Sequence, residues 1–329
     1  MESNFTQLII PRININSKES IEEARLLVKK FGFDSFILFA TEKIKFSEDS
    51  KFRLDDLNMV RDILDKECEE EILFFIDAEN GLGRRCLEGE EFDISDIEFL
   101  NDKDRREIFD AINLELYKNK ISFNLAPVLD IKKEDSDVLK GRAFSGNSMV
   151  VSRIGKAFLD STDKNNIIGC LKHFPGHGVV SGDTHKELIR SDISEIDLKT
   201  THLKPFSELI KYAELVMINH INYTKYNRDL VPASMSYEIM TNILLNELGF
   251  KGVIISDSIR MQAVTSNFNE SKMIESFILN GGDLILDPLS PIRCLTELKE
   301  IYADSAKSID KKISKVLDLK EKARRLILK

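Results

Sequence analysis

Residues 236–257 read SYEIMTNILLNELGFKGVIISD, and this stretch decides the fold class. Its first half, residues 236–248, repeats apolar residues at helical spacing and is followed by Gly249, which predicts a helix that ends there. Its second half, residues 252–257, is a continuous apolar run that ends in a carboxylate. Such a run is typical of a strand buried on both faces. A helix followed directly by a buried strand is the repeating unit of a parallel α/β sheet.

The same alternation recurs along the whole chain. The other candidate strands are residues 8–13, 36–40, 72–77, 123–130, 169–174, 215–221 and 283–287. Helical spacing of apolar residues predicts helices over residues 20–31, 104–117 and 193–212, and a last helix over residues 305–329.

Eight strands alternating with helices predict an α/β fold, a single (β/α)8 barrel of the TIM type, with the last helix packed outside it. No linker rich in Pro, Gly or Ser divides the chain, so residues 1–329 are expected to form one catalytic domain with no second domain. An open doubly wound sheet is the alternative, although no Gly-x-Gly-x-x-Gly motif follows an early strand.

The composition excludes several classes of protein. Of the 329 residues, 42% are apolar and 31% are charged, as in a folded globular protein. The net charge of −9 argues against a nucleic-acid partner, which requires a basic face. Neither a signal peptide nor a long apolar segment is present, so no membrane partner is expected. Four widely spaced cysteines favour free thiols in the reducing cytoplasm.

Polar residues stand where the predicted strands end. They are Asp77, Asp130, Lys172, His173, Asn219, His220, Asp257 and Asp287. Active sites of α/β barrels lie at the carboxyl ends of the strands. The sequence therefore predicts a functional site along this edge.

The segment KHFPGHG, residues 172–178, is the densest candidate for chemistry. Asp183 and His185 follow it in the same predicted loop and flank a single residue. A carboxylate beside an imidazole selects its tautomer and favours its protonated form, which suits a general acid near neutral pH. The alternative is a surface loop in which this Asp and His have no chemical role.

Metal binding is a further alternative for the same loop. Its ligands would be His173, His177, Asp183 and His185. Barrel metal sites usually take ligands from several strand ends, and no His-x-His pair lies on the first strand. We therefore expect neither a metal nor another cofactor.

Two carboxylates at other strand ends are candidate site residues. Asp257 would complete the pair of groups that glycoside hydrolysis needs, although an Asp at this position can also cap the next helix. Asp77 and Arg85 could bind vicinal hydroxyl groups of a sugar, and Arg142 could do the same. A solvated turn is the alternative for these three residues.

Taken together, these segments resemble glycoside hydrolase family 3, and within it the NagZ-type β-N-acetylhexosaminidases. The resemblance rests on residues 77–85, 124–130, 142–145, 172–178 with Asp183-Thr184-His185, 232–236 and 249–257. The complete KHFPGHG followed by Asp-x-His is the specific part of this set.

The resemblance implies a retaining exo-β-N-acetylglucosaminidase that acts on small carbohydrates, in particular muropeptide fragments during cell-wall recycling. It makes Asp257 the nucleophile and His185 the acid/base, oriented by Asp183. The implied sugar-binding residues are Asp77, Arg85, Arg142, Lys172 and His173. The resemblance leaves the oligomeric state open.

This sequence departs from the family pattern in the acidic motif. Residues 79–83 read Glu-Asn-Gly-Leu-Gly where the family has Glu-Gly-Gly-Arg-Val, and Ser258 replaces a common Asp or Ala. The first change could alter the aglycone side of the pocket. Two further functions stay open: phosphorolysis, because a histidine repels phosphate less than a glutamate does, and sugar binding without turnover.

Overall fold

The strands of the main sheet are parallel and buried, as their continuous apolar sequences predict. The computed structural model describes residues 4–41, 51–133, 136, 138–180, 188–227 and 229–328. Its strands are β1 (Ile9–Ile10), β2 (Arg12–Asn14), β3 (Ser35–Phe39), β4 (Leu73–Ile76), β5 (Phe123–Asn124), β6 (Ile168–Phe174), β7 (Arg190–Ser191), β8 (Leu215–Ile218), β9 (Asn222–Tyr223), β10 (Val253–Ser256) and β11 (Ile285–Leu286).

Seven of these strands form one curled sheet in the order β10-β8-β6-β5-β4-β3-β2. Strands β7 and β9 form a small parallel sheet of their own. In the seven-stranded sheet, each strand lies beside the strand of that sheet that comes next along the chain. A doubly wound sheet requires a reversal of this order at its switch point. The open doubly wound alternative is therefore wrong, and the predicted parallel α/β sheet is confirmed.

β1 and β11 pair with each other and connect to both edges of the seven-stranded sheet. Ile9 pairs in register with Ile285. Pro11 separates β1 from β2, because proline has no backbone N–H to continue a ladder. At the other edge, the amide of Ser256 donates to the carbonyl of Leu284 (3.0 Å) and links β10 to the start of β11.

The helices lie between successive strands. They are α1 (Lys18–Phe31), α2 (Leu54–Asp65), α3 (Asp102–Lys118), α4 (Ser148–Lys164), α5 (Glu195–Asp197), α6 (Lys204–Leu209), α7 (Gln262–Thr265), α8 (Glu270–Leu279) and α9 (Pro291–Ile327), with wider π-helical turns at Leu198–His202 and Glu238–Glu247. Within the described ranges, none of these helices has the length and apolar character needed to cross a bilayer.

Several predicted boundaries are wrong, including the strand predicted over residues 8–13, which is divided at Pro11, and the strand predicted over residues 215–221, which stops at Ile218. The strand predicted over residues 123–130 stops at Asn124, because Pro127 lacks an N–H; pairing with β6 resumes at Val128. The helix predicted over residues 193–212 is divided into short pieces around Pro205. The last helix starts at Pro291, since the predicted start at residue 305 is a kink inside it.

The last helix, α9, is attached to the amino ends of two strands by ion pairs to buried carboxylates. Nζ of Lys320, which is 1% exposed, lies 2.7 Å from Oδ1 of Asp34, and Arg324 lies 2.7 Å from the other carboxylate oxygen. Asp34 directly precedes β3. Lys315 of the same helix contacts Asp283, which precedes β11. The strand ends opposite the predicted site are therefore held together through α9.

We expect Lys320→Met to lower the free energy of unfolding by about 3 kcal/mol, because it leaves the buried Asp34 carboxylate with one cation in place of two. Lys322→Met is the matched control, since Lys322 lies on the same helix and both it and its partner Glu214, which precedes β8, are exposed. The control should change stability by less than about 1 kcal/mol. Urea unfolding measures both, and equal effects would contradict the role given to the buried pair.

Candidate active site

Lys172 lies at the centre of a charged cluster at the carboxyl ends of the strands. It belongs to β6, and its side chain is 2% exposed. Its Nζ is 2.7 Å from Oδ1 of Asp77 and 2.7 Å from Oε1 of Glu79. Both carboxylates follow β4, so the parallel arrangement of β4 and β6 brings the three groups to the same edge.

Arg142 and Arg85 complete the pairing of these two carboxylates. Arg142 binds Glu79 with two hydrogen bonds, from Nε (2.7 Å) and Nη2 (2.6 Å). Arg85 donates from Nη2 to Oδ2 of Asp77 (3.3 Å). Asp77 is 23% exposed and Glu79 only 4%. Asp77 and the two arginines can therefore reach a ligand, whereas Glu79 orders the cations around it.

Burial and ion pairing act in opposite directions on these groups. Burial raises the pKa of Asp77, but Lys172 and Arg85 together outweigh it and the pKa is lowered overall. Burial also raises the pKa of Glu79, but Arg142 and Lys172 hold it well below its ordinary value. Burial lowers the pKa of Lys172, and the two carboxylates more than compensate. All three groups are thus charged at neutral pH.

Asp130 orders the start of the loop after β6. Its carboxylate accepts hydrogen bonds from Nδ1 of His173 (2.6 Å) and from the backbone amides of His173 (3.3 Å) and His177 (2.5 Å). Burial raises the pKa of Asp130, but the charge and hydrogen bond of His173 lower it overall. Because Nδ1 of His173 donates to this carboxylate, Nε2 is directed away from it. Burial lowers the pKa of His177 to about 4, so that imidazole is neutral at pH 7.

Asn219 and Tyr223 hold the same loop from the segment after β8. Nδ2 of Asn219 donates to the carbonyl of His173 (3.1 Å), and the hydroxyl of Tyr223 donates to the carbonyl of Gly176 (2.9 Å). Farther along, β7 pairs with β9. The chain on both sides of residues 181–187 is therefore attached to the segment after β8.

Asp257 follows β10 at the same edge. Its Oδ1 accepts a hydrogen bond from the backbone amide of Ser258 (2.7 Å). The thiol of Cys170 lies in β6; burial raises its pKa, and the charges of Lys172, Asp77 and Asp257 all act on it. Asp257 thus stands at the same edge of the sheet as the charged cluster around Lys172, because β4, β6 and β10 are parallel strands of one sheet.

The structure brings together the predicted residues Asp77, Arg85, Arg142, Lys172, His173 and Asp257. Asp183 and His185 lie outside the described residues, so their roles stay predictions. Among the residues that are described, no three His, Cys, Asp or Glu side chains are grouped as a metal ion would require. Asp183 and His185 are also two of the four ligands of the alternative metal site, and both lie outside the described residues.

Comparison with known protein families identifies the type of domain. The family model for the glycosyl hydrolase family 3 N-terminal domain matches residues 1–319. The chain belongs to glycoside hydrolase family 3. The match extends from β1 into α9 and includes every strand end at which the charged cluster is built. The family resemblance carried by KHFPGHG and its neighbouring motifs is confirmed.

Relatives within family 3 match parts of this chain. Beta-hexosaminidase A of Pseudoalteromonas piscicida is 34% identical over 215 residues, which cover 61% of this chain and 36% of that protein. A beta-hexosaminidase of Psychromonas ingrahamii is 38% identical over 174 residues, which cover 52% of this chain and 51% of that protein. The matches thus span about half or less of these relatives.

A solved family 3 structure matches almost the whole chain. It is a β-N-acetylglucosaminidase from Paenibacillus sp. str. FPU-7, with a TM-score of 0.83 over 99% of this chain and 63% of that one. At 23% sequence identity, this likeness shows the fold alone.

The altered acidic motif of this family 3 chain is accommodated inside its own loop. Leu82, at the position of the family's arginine, is completely buried and lines no ligand surface. The amide of Gly83 donates to the carbonyl of Glu90 (2.7 Å), and a Cβ on Gly83 would lie 2.5 Å from the carbonyl oxygen of Gly89. A side chain does not fit between these two backbone segments.

The predicted binding set omits Glu79 and Asp130, which order the other groups. A signal for them was present in the sequence. The predicted set contains three cations, Arg85, Arg142 and Lys172, but only one carboxylate, Asp77. Buried cations require counter-charges, so further carboxylates are expected nearby. Both missing carboxylates stand at or just after the predicted strand ends.

We expect Lys172→Met to destabilise the protein at pH 7 by about 3–5 kcal/mol, because it breaks a buried ion-pair network. Asp77 and Glu79 have lower pKa values in the folded protein than in the unfolded chain. They therefore contribute stability that is fully present above the pKa of the unfolded chain and is lost as the pH falls through the pKa of the folded protein. The pKa of Lys172 is raised in the folded protein, so Lys172 contributes stability at every pH below its pKa in the unfolded chain, which includes the whole acidic and neutral range. The difference from wild type should therefore shrink below about pH 4.

Unfolding by guanidinium chloride at pH 7, 5 and 3.5 measures this effect. Lys103→Met is the control, since Lys103 pairs with Glu107 on an exposed helix surface. A loss of stability that is the same at all three pH values would show that packing, and not charge pairing, accounts for the effect of Lys172.

Proposed function

We propose that this chain is a retaining exo-β-N-acetylglucosaminidase of the NagZ type, which removes terminal β-linked N-acetylglucosamine. The observation that carries the proposal is the position of the Asp257 carboxylate at the same strand edge as Asp77 and Lys172, within a family 3 domain. The names of the two relatives, both beta-hexosaminidases, support an N-acetylhexosamine as the sugar.

The charged cluster binds the terminal sugar. Asp77 accepts hydrogen bonds from sugar hydroxyl groups, and Arg85 and Arg142 donate to them. Lys172 and His173 complete this set. The ion pairs among these residues support this role, because groups that are already oriented lose little conformational freedom when the sugar binds.

Asp257 is the nucleophile. One of its carboxylate oxygens attacks the anomeric carbon while the bond to the leaving-group oxygen breaks, and a covalent glycosyl-enzyme forms. The imidazolium of His185, oriented by Asp183, gives its proton to that leaving oxygen. The neutral imidazole then takes a proton from water, whose oxygen attacks the anomeric carbon and releases Asp257. The hydrogen bond from the Ser258 amide supports an ionised Asp257.

The natural substrate is a muropeptide fragment with N-acetylglucosamine linked to N-acetylmuramic or 1,6-anhydromuramic acid, and the enzyme works in cell-wall recycling. The four cysteines, none of them in a disulfide, support a reducing cytoplasmic location. Residues 1–329 act as one catalytic unit, a complete eight-stranded barrel with α9 outside it. The pairing of β1 with β11 and the link from β10 to β11 support this closure.

Hydrolysis of an aryl N-acetyl-β-D-glucosaminide, beside the matching β-glucoside and with or without EDTA, tests the proposal. We expect turnover of the first substrate only, because the terminal subsite is proposed to bind the N-acetylated sugar. EDTA should have no effect, since no metal takes part in the proposed steps. Asp257→Ala, as the control for contaminating activity, should lower kcat by at least about 10⁴-fold. No turnover by the wild type, or complete loss with EDTA, would contradict the proposal.

His185→Ala separates the acid role from other roles. Loss of a general acid should lower kcat/KM about 10²–10⁴-fold on a substrate with a poor leaving group, and much less on a dinitrophenyl glycoside, whose leaving group needs no proton. Thr184→Ala, between the two candidate groups, is the control and should change neither rate. Equal losses of His185→Ala on both substrates would contradict the acid assignment.

A further inference from the structure

Ser258, the residue after the proposed nucleophile, is held by three separate hydrogen bonds. Its backbone amide donates to Oδ1 of Asp257 (2.7 Å). Its hydroxyl donates to Oδ2 of Asp287 (2.7 Å). Its carbonyl oxygen accepts from Nε2 of His220 (3.2 Å). The two partners other than Asp257 come from different strand ends, so the position of Ser258 is determined from two sides.

Asp287 is itself held firmly. It is completely buried, and its carboxylate accepts from Arg12 (2.6 Å at Oδ2) and from Arg260 (2.8 Å at Oδ1). Its backbone amide donates to the carbonyl of Ile10 (2.8 Å). A buried carboxylate between two guanidinium groups has little freedom to move. The hydroxyl of Ser258 therefore binds to an anchored acceptor.

His220 anchors the other side of the Ser258 peptide group. It is completely buried at the end of β8. Its Nδ1 is 2.7 Å from the hydroxyl of Ser234, and its Nε2 faces the carbonyl of Ser258. A carbonyl only accepts, so Nε2 carries the hydrogen, and in the tautomer with its only ring hydrogen there Nδ1 accepts from the Ser234 hydroxyl. One tautomer satisfies both contacts.

We propose that Ser258 is a positioning residue for the Asp257 carboxylate, because Asp287 and His220 hold its peptide group with the N–H directed at Oδ1. The inference rests on the proposed function through the role of Asp257 as nucleophile. An N–H that is fixed before the reaction restrains the carboxylate through one of its oxygens and so sets its orientation toward the anomeric carbon. Ser258 touches no reacting atom of the sugar and acts only through Asp257.

The kinetic test compares two substitutions at this position. Ser258→Ala removes the bond to Asp287, and we expect kcat on the aryl N-acetyl-β-D-glucosaminide to fall about tenfold while KM changes less than about twofold. Ser258→Thr keeps the hydroxyl group and should stay within about twofold of wild type. Ser266→Ala is the matched control, because Ser266 is exposed on the segment that follows. An unchanged kcat, or an effect on KM alone, would overturn the proposal.

Hydrogen exchange at the amide of residue 258, followed by NMR, tests the same inference without turnover. We expect exchange about tenfold faster in Ser258→Ala, because its peptide group has lost one anchor, and unchanged exchange in Ser258→Thr and Ser266→Ala. Equal exchange in all four proteins would overturn the positioning role. If the wild type fails to hydrolyse the aryl substrate, the proposed function fails, and the exchange measurement alone decides the role of Ser258.

Discussion

A buried ammonium group requires counter-charges, and the position of Lys172 accounts for most of this site. With 2% of its side chain exposed, Lys172 is stable only while Asp77 and Glu79 stay beside it. Those carboxylates in turn hold Arg85 and Arg142. A side chain in β6 thus determines where groups from the segments after β4 and β5 lie, and these groups are ordered before any ligand binds.

A second network surrounds the proposed nucleophile, and an aromatic ring joins it to the first. Arg12, which holds Asp287, lies with its guanidinium carbon 3.8 Å from the ring centre of Phe39. Arg85, which holds Asp77, lies 5.1 Å from the same ring. Cations favour the face of an aromatic ring, especially where water is scarce. The proposed sugar-binding residues and the surroundings of the proposed nucleophile are therefore coupled through the end of β3.

The sequence predicts the strands well because their apolar runs are long and uninterrupted. It predicts the strand-end residues for the same reason, since parallel strands place all their carboxyl ends on one edge. The pairing of Glu79 with Lys172 and Arg142 could not be read from spacing, because it depends on a loop between β5 and α4. The bond between Ser258 and Asp287 joins residues 29 apart in sequence, and no local pattern encodes it.

The pairing of β1 with β11 has a consequence for how the chain reaches its folded state. Arg12 and Asp287 are 275 residues apart, and Gln7 and Lys320 are 313 apart. A ribosome releases β1 long before its partner strand is made, and such distant contacts carry the largest loop-closure cost. The first strand therefore waits unpaired during synthesis, in need of protection from aggregation. The contacts around the proposed nucleophile are among the last to form, so a nascent chain completes this site only after β11 has been synthesised.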